Sequence, residues 1–256
     1  MDPGASVCAP VIRQTEAERT DQTLYTDIHS HVIWGVDDGA EQKAETFRML
    51  REAAADGIGR IICTPHMTPG VYEFPQDVFA ENFRTAQEFI VRENLPLTLL
   101  AGAEILYTDN TPRMLREKRI PTLAGTDRVM VEFSPTDSWE HITDALAKIA
   151  GTGLIPVIAH MERYPAIRKP EQVREIRQRY HAMVQINARS LCRRQPLLRR
   201  SFFNSLFQDG LADYVATDTH AMPGRETCMT AGMEALRSKY GEDAERRILE
   251  NTRVFG

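Results

Sequence analysis

Residues 24–31 read LYTDIHSH, an apolar run at residues 24–28 that ends on the pair His29 and His31. In an extended chain, residues i and i+2 project from one face about 7 Å apart, so both imidazoles can reach the same metal ion. An HxH pair alone is equally typical of two unrelated histidines. Asp27 shares this face, and we expect it to orient an imidazole rather than to bind an ion. The stretch predicts a strand that leads into a candidate metal site.

The same kind of strand recurs along the whole chain. Short runs rich in Val, Ile and Leu alternate with longer stretches of helical periodicity, which is typical of successive βα units. The predicted strands are residues 24–28, 60–63, 97–101, 128–131, 155–159, 183–186 and 214–216. The predicted helices are residues 42–55, 75–92, 139–150, 170–179, 199–208 and 228–240. Four of them precede a glycine in the position of a left-handed stop: Gly57, Gly151, Gly210 and Gly241.

Length and composition are compatible with one large α/β domain. The chain has 256 residues, of which 42% are apolar and 26% charged, and α/β barrels commonly reach this length. We expect residues 24–256 to form that domain. Residues 1–23 show no periodicity and are predicted to be a flexible N-terminal extension. The formal net charge of −5 argues against a nucleic-acid partner.

Neither a membrane segment nor a disulfide framework is predicted. No window approaches the ~18 uninterrupted apolar residues of a membrane span, and residues 1–22 lack the features of a signal peptide. No CxxC pair occurs among the four cysteines, which favours reduced thiols: Cys8, Cys63, Cys192 and Cys228. We therefore expect a cytoplasmic protein without stable membrane insertion. The sequence leaves self-association open.

Side chains that can bind metal ions cluster where the predicted strands end. In chain order they are His29, His31, His66, Glu104, Glu132, His160, Asp218 and His220. The C-terminal ends of the strands of an α/β barrel meet at one mouth, which carries the active site. The DxH pair in ATDTH follows the last strand as HxH follows the first, and the two strands become neighbours when a barrel closes. This recurrence favours a metal centre over chance.

The remaining candidates differ in how strongly the local sequence supports them. Glu104 follows an apolar run, and a carboxylate there is costly to bury unless it is paired or metal-bound. His141 and His181 lie on or beside helices, and we assign them no role. Asp37 and Asp38, in GVDDGA, are compatible with an ordinary turn as well as with a ligand, and the local pattern does not choose between them.

Motifs for a protein nucleophile are absent from the chain. None of the cysteines begins a CxxxxxR phosphate loop, which a thiol-based tyrosine phosphatase requires; Cys192 has Leu198 at the position of the arginine. A GxSxG elbow and a GxxxxGK[ST] loop are also absent. The chemistry is therefore expected to come from bound metal ions.

Six motifs carry a resemblance to a known family. DIHSHVIWGVDDGA, TPHMTPG, GAEILYT, VEFS, VIAHMERY and ATDTHAMPGR occur in this order from about residue 25 onward. In order and spacing they resemble the PHP (polymerase and histidinol phosphatase) superfamily, and within it the manganese-dependent protein-tyrosine phosphatases of bacterial capsule and exopolysaccharide clusters. The resemblance implies a distorted seven-stranded (β/α)7 barrel of PHP type. It also implies three divalent metal ions, foremost manganese, with iron, zinc or magnesium as alternatives.

The motif matches also imply which residues hold these ions. To the first ion they assign His29, His31, Glu104 and Asp218. To the second ion, bridged by Glu104, they add Glu132 and His160. To the third ion they assign Asp38, His66 and His220, which selects Asp38 over Asp37. Arg163 and Arg225 match arginines that bind the substrate phosphate, for which a guanidinium is a two-pronged, permanently charged partner.

The implied function is hydrolysis of phosphotyrosine on a bacterial tyrosine kinase with a tyrosine-rich tail, which regulates capsular or exopolysaccharide synthesis and export. Clustered ions lower the pKa of bound water, and the resulting bridging hydroxide would attack phosphorus. The alternative is a small-molecule phosphatase of histidinol-phosphatase type. A catalytically silent metal-binding module is disfavoured because all nine ligand types are retained. A relative of amidohydrolases is disfavoured because no strand ends on a lysine suited to bridging metals.

A basic stretch, residues 189–200, contains five arginines. Most such runs are solvated faces. The other interpretation is a docking surface for an acidic, multiply phosphorylated tail.

Overall fold

The computed structural model describes residues 24–256, and the extension predicted for residues 1–23 lies outside the described residues. All pairings between its strands are parallel. The strands are β1 (Tyr25–Ser30), β2 (Ile58–Cys63), β3 (His66–Met67), β4 (Thr98–Ala101), β5 (Glu104–Leu106), β6 (Arg128–Glu132), β7 (Ile155–Ile158), β8 (Met183–Asn187) and β9 (Tyr214–Ala216). The helices are α1 (Lys43–Ala55), α2 (Gln76–Arg92), α3 (Thr111–Arg116), α4 (Trp139–Ala150), α5 (Pro170–Tyr180), α6 (Ala188–Cys192), α7 (Leu197–Gln208), α8 (Met229–Tyr240) and α9 (Glu242–Thr252). The α/β class is confirmed.

The described strands form two sheets that curl into a half-barrel. One has the order β1-β2-β4 and the other the order β3-β5-β6-β7-β8-β9. An inner cluster of buried side chains draws on both sheets, with Ile28 and Ile62 from the first and Met130, Val157 and Tyr214 from the second. A larger apolar cluster packs the helices against the strands. The two sheets therefore share one core on their concave side.

Each of the seven predicted strands is present, but the chain forms two more. Pro65, which has no N–H to donate, separates β2 from β3. Gly102 and Ala103 separate β4 from β5, and a Cβ at Gly102 would lie only 3.0 Å from Ile62 Cγ2 and 3.1 Å from Leu123 Cδ2. The described part of the chain thus has three strands in one sheet and six in the other, and the predicted count of seven is not confirmed.

The predicted helices are present, but one of the four glycines predicted to end a helix in the left-handed conformation does not do so. Gly57, Gly210 and Gly241 have φ of 76°, 65° and 87°, in the left-handed region as predicted. Gly151 instead has φ of −64°, because the chain makes a further turn before Gly153 becomes left-handed at 84°. None of the described helices is both long enough and apolar enough to span a membrane.

Candidate metal centre

The structure brings all nine predicted ligands to the C-terminal ends of the strands. They come from different elements, since β1 carries His29, β3 begins with His66, β5 begins with Glu104 and β6 ends with Glu132. His31, His160, Asp218 and His220 follow the ends of β1, β7 and β9, and Asp38 lies in the loop between β1 and α1. His66 pairs with Glu104 in register between β3 and β5. The parallel sheet therefore aligns ligands that are distant in sequence.

The four residues predicted for the first ion converge on one point. His29 Nε2 lies 3.2 Å from His31 Nε2 and 3.0 Å from Glu104 Oε2. Asp218 Oδ1 lies 3.6 Å from His29 Nε2 and 3.7 Å from His31 Nε2. Donor atoms about 2.1 Å from a common ion are about 3.0–3.5 Å apart. The spacing of these four donors therefore fits one coordination shell.

The other predicted ligands surround this point on two sides. His160 Nε2 lies 2.9 Å from Glu104 Oε1 and 3.6 Å from Glu132 Oε2. Asp38 Oδ1 lies 3.3 Å from His66 Nε2 and 3.4 Å from His220 Nε2, with a side chain that is 59% exposed. His66 also turns Nδ1 toward Glu104 Oε2, at 3.1 Å. The candidate ligand groups overlap. His31, which lies beside His29, also belongs to the group formed by Asp38, His66 and His220.

Two buried polar atoms in this cluster have no hydrogen-bond partner among the described residues. They are Oε2 of Glu104 and Nε2 of His220. An unpaired buried donor or acceptor costs free energy, and a buried carboxylate costs more. Both atoms face the space that a cation would fill. Five imidazoles and four carboxylates, without a thiolate, form the nitrogen and oxygen donor set that suits manganese, iron or zinc.

In the metal-free protein, electrostatics keep Glu104 ionised and His220 neutral. At His29, His31 and His66 the effect of burial is outweighed by the nearby carboxylates, and the pKa is raised. Burial raises the pKa of Glu104, but His29 and His160 outweigh it, so the pKa lies well below its usual value and the carboxylate is ionised. Burial, with the neighbouring His31 and Arg225, lowers the pKa of His220 to about 4. At neutral pH the imidazole of His220 is therefore uncharged and offers a lone pair.

Two aspartates near the cluster, Asp37 and Asp27, hold other groups in place rather than joining the candidate ligands. Asp37 Oδ2 accepts hydrogen bonds from Nδ1 of His31 at 2.7 Å and from the backbone N–H of His66 at 3.1 Å, so this residue orients an imidazole. The expectation that Asp27 orients an imidazole is wrong. Its carboxylate accepts from the backbone N–H of His29 and from the N–H and hydroxyl of Thr217. Asp27 therefore links the backbones of the first and last strands.

The two predicted phosphate-binding arginines meet at one carboxylate. Arg163 Nη2 lies 2.8 Å from Asp218 Oδ2, and Arg225 Nη2 lies 2.6 Å from Asp218 Oδ1. The side chain of Arg163 is 48% exposed, whereas that of Asp218 is 2% exposed. Arg163 therefore reaches from solvent to the edge of the cluster. His141 and His181, which were assigned no role above, belong to none of the candidate ligand groups found among the described residues.

Sequence reasoning missed two amides at the end of β8, Gln185 and Asn187. Gln185 Oε1 lies 3.2 Å from Nδ1 of His29, and Asn187 Nδ2 donates to Asp218 Oδ2 at 3.0 Å. The signal that could have revealed them is a polar i, i+2 pair at a strand end, in QIN, which repeats the spacing of HxH and DxH.

Comparison with known proteins identifies the family. Residues 25–254 match the family model described as capsular polysaccharide synthesis, CpsB/CapC. The chain belongs to the CpsB/CapC family. The resemblance inferred from the motifs is thereby confirmed. A CpsB/CapC relative, the tyrosine-protein phosphatase CpsB of Streptococcus pneumoniae, is 32% identical over 235 residues, which cover 89% of this chain and 96% of the relative.

Solved structures agree with membership of the CpsB/CapC family. A structure from a study of YwqE from Bacillus subtilis and CpsB from Streptococcus pneumoniae, described as unique metal-dependent tyrosine phosphatases, matches with a TM-score of 0.80 and 27% identity. The match covers 90% of this chain and 94% of that chain. The histidinol phosphate phosphatase of Lactococcus lactis matches with a TM-score of 0.53 and 15% identity, over 85% of this chain and 93% of that chain, and shares the fold.

Proposed function

We propose that this CpsB/CapC chain is a metal-dependent protein-tyrosine phosphatase that acts in capsular or exopolysaccharide synthesis. The observation that carries the proposal is that nine ligand-type side chains form four overlapping candidate metal sites. In addition, the buried Oε2 of Glu104 has no hydrogen-bond partner among the described residues. CpsB of Streptococcus pneumoniae is described as a tyrosine-protein phosphatase, and the solved YwqE and CpsB as metal-dependent tyrosine phosphatases.

For the metal centre we propose three divalent ions, with manganese as the first choice. His29, His31, Glu104 and Asp218 would hold the first ion. Glu104, Glu132 and His160 would hold the second. Asp38, His66 and His220 would hold the third. The chemistry that such ions supply when bound is activation of water as a nucleophile and neutralisation of charge on the phosphoryl group.

The chain's own part in the reaction is to bind and orient the phosphate. Arg163 and Arg225 would receive phosphate oxygens, since a guanidinium offers paired N–H donors and a permanent charge. The leaving phenolate has a parent pKa of ~10, so a dedicated general acid is dispensable. The buried thiol of Cys63 is inaccessible as a nucleophile, and its pKa is raised by burial.

For the fold we propose a distorted seven-stranded barrel made of one domain, residues 24–256. β2 with β3, and β4 with β5, would each count as one interrupted strand. The closing seam would run between β1 and the segment after β9. This is supported by hydrogen bonds from the His31 N–H to Thr219 O at 3.0 Å and from the Asp218 N–H to His29 O at 2.9 Å.

For the substrate we propose phosphotyrosine on a bacterial tyrosine kinase in the cytoplasm. The test is to reconstitute the purified protein with manganese and compare kcat/KM for a phosphotyrosine peptide and for histidinol phosphate. We expect the peptide to be hydrolysed with the higher kcat/KM. A clear preference for histidinol phosphate would favour the small-molecule alternative, and turnover of neither substrate would refute the enzymatic proposal.

A further inference from the structure

Strand β8 ends at the mouth of the half-barrel but carries none of the nine proposed ligands. Two amide side chains, Gln185 and Asn187, lie at its C-terminal end. They point to the same side of the strand because they are two residues apart. Gln185 is 0% exposed and Asn187 is 4% exposed. Buried amides must find hydrogen-bond partners. Theirs lie among the proposed metal ligands.

The direction of these hydrogen bonds is fixed by one backbone group. The N–H of His160 can only donate, and it lies 2.6 Å from Gln185 Oε1, so this atom is the amide oxygen. The opposite end, Nε2, then donates to Asn187 Oδ1 at 2.8 Å. Asn187 Nδ2 in turn donates to Asp218 Oδ2 at 3.0 Å. The two side chains form an amide relay, Gln185–Asn187, that ends on Asp218.

The relay determines where His29 carries its proton. Gln185 Oε1 lies 3.2 Å from His29 Nδ1 and can only accept, so the proton is on Nδ1. Nε2 is then the nitrogen that faces Glu104, 3.0 Å from Oε2, and it is the nitrogen available to bind an ion. A ligand imidazole whose second nitrogen is hydrogen-bonded in this way has a fixed tautomer and a fixed ring orientation.

The relay also contacts two residues with strained backbones. His160 has φ of 33° and ψ of 49°, and Asp218 has φ of 53°, both in the left-handed region that residues other than glycine rarely adopt. Such conformations persist only where the surrounding structure holds them. Gln185 holds the N–H of His160, and Asn187 holds the carboxylate of Asp218.

We propose that Gln185 and Asn187 are positioning residues that set the affinity of the metal centre by fixing His29, His160 and Asp218. A pair of amides suits this place because Gln185 accepts from an imidazole at one end while Asn187 donates to a carboxylate at the other. The inference rests on the metal centre proposed above.

The test is the manganese affinity of variants, measured by competition with a chromogenic chelator. Gln185→Met keeps the approximate volume but removes both hydrogen-bonding functions, and we expect affinity to fall about 10- to 100-fold. Gln185→Glu keeps an acceptor for His29 and His160 but loses the donor to Asn187 Oδ1, so it should restore only part of the affinity. Asn187→Leu, which removes the donor to Asp218, should weaken binding in the same direction. Asn251→Leu is the matched control, because its Nδ2 hydrogen-bonds Asp213 O at the start of β9, away from the site.

Thermal unfolding of the metal-free variants separates positioning from folding. The relay is supported if Gln185→Met binds manganese more weakly than the control while the two metal-free proteins unfold at the same temperature. Provided that the wild type binds manganese, either of two results would overturn the relay. One is unchanged manganese affinity in both Gln185→Met and Asn187→Leu, and the other is an equal loss of affinity in the control. If Gln185→Met does not fold, Asn187→Leu decides in the same way. Failure of the wild type to bind any divalent ion would refute the proposed function as well.

Discussion

Oδ2 of Asp37 accepts a hydrogen bond from Nδ1 of His31 at 2.7 Å, so this aspartate lies behind a proposed ligand. Its neighbour Asp38 turns Oδ1 toward His66 and His220, into the candidate site. Burial raises the pKa of Asp37, but His31 outweighs it and the pKa is lowered overall, so the pair is ionic in the metal-free protein. Adjacent residues of identical type thus have different roles.

Truncation of the two aspartates should therefore change manganese binding in different ways. We expect Asp37→Ala to weaken manganese binding about 10- to 100-fold, with the number of bound ions restored at high manganese. Asp38→Ala should lower the number of bound ions by one. Metal counting across a manganese titration measures both, with Asp144→Ala as a control because Asp144 pairs with Lys148 on the solvent side of α4. The reverse pattern would mean that Asp37 is the ligand.

Arg163 and Asp218 should also separate metal binding from catalysis. Asp218→Ala removes a proposed ligand and should abolish both bound manganese and turnover. Arg163→Ala should keep the metal but lower kcat/KM on the order of 100-fold, because it removes a charged donor from the transition state. Arg179→Ala, which removes a surface pair with Glu175, is the matched control. Loss of metal from Arg163→Ala would assign this arginine to the support of Asp218 instead.

The activity should not depend on a thiol. Burial first, then the nearby carboxylates of Asp27 and Asp37, raise the pKa of Cys63, so its thiol stays protonated as the pH rises past the ordinary ~8.5 of a free cysteine. Iodoacetamide at pH 8 should leave Cys63 unmodified in the native protein and modify it after unfolding, as followed by peptide mass spectrometry. Inactivation that tracks modification of Cys63 would refute the proposed chemistry.

The basic stretch gives a prediction about substrate docking. Arg189 contacts Glu226. Within the described part of the chain, the side chains of the other four arginines of the stretch form no hydrogen bond or ion pair: Arg193, Arg194, Arg199 and Arg200. Changing all four to glutamine should raise KM about tenfold for a multiply phosphorylated acidic polypeptide, because unpaired positive charge attracts it. Turnover of p-nitrophenyl phosphate should be unchanged. The double variant Arg84→Gln, Arg92→Gln on α2 is the control, and equal losses on both substrates, or none, would exclude docking.

How far the sequence predicts this molecule depends on which interactions are local. The alternation of apolar runs and helical stretches predicts β1, β6, β7 and β9 within a few residues, because each depends on its own periodicity. β3 and β5 hold two and three residues and exist through pairing with strands distant in sequence. Their short lengths leave no periodic signal.

For the site, strand-end placement and motif resemblance predicted which residues converge but not their supporting contacts. The sequence alone could not place Asp37 behind His31, because the direction of a side chain in a turn depends on its tertiary partners. That Arg163 and Arg225 meet at Asp218 depends on segments 55 and seven residues away from it. The relay through Gln185 joins β8 to His29, 156 residues earlier.

The most direct test of the account is a titration of the metal-free protein with manganese while phosphotyrosine hydrolysis and bound metal are measured in the same samples. We predict that chelation removes the activity. The activity should return as manganese binds and reach its plateau when about three ions per chain are bound. Full phosphotyrosine hydrolysis by protein shown to hold no metal would contradict it, as would stoichiometric manganese binding without any return of activity.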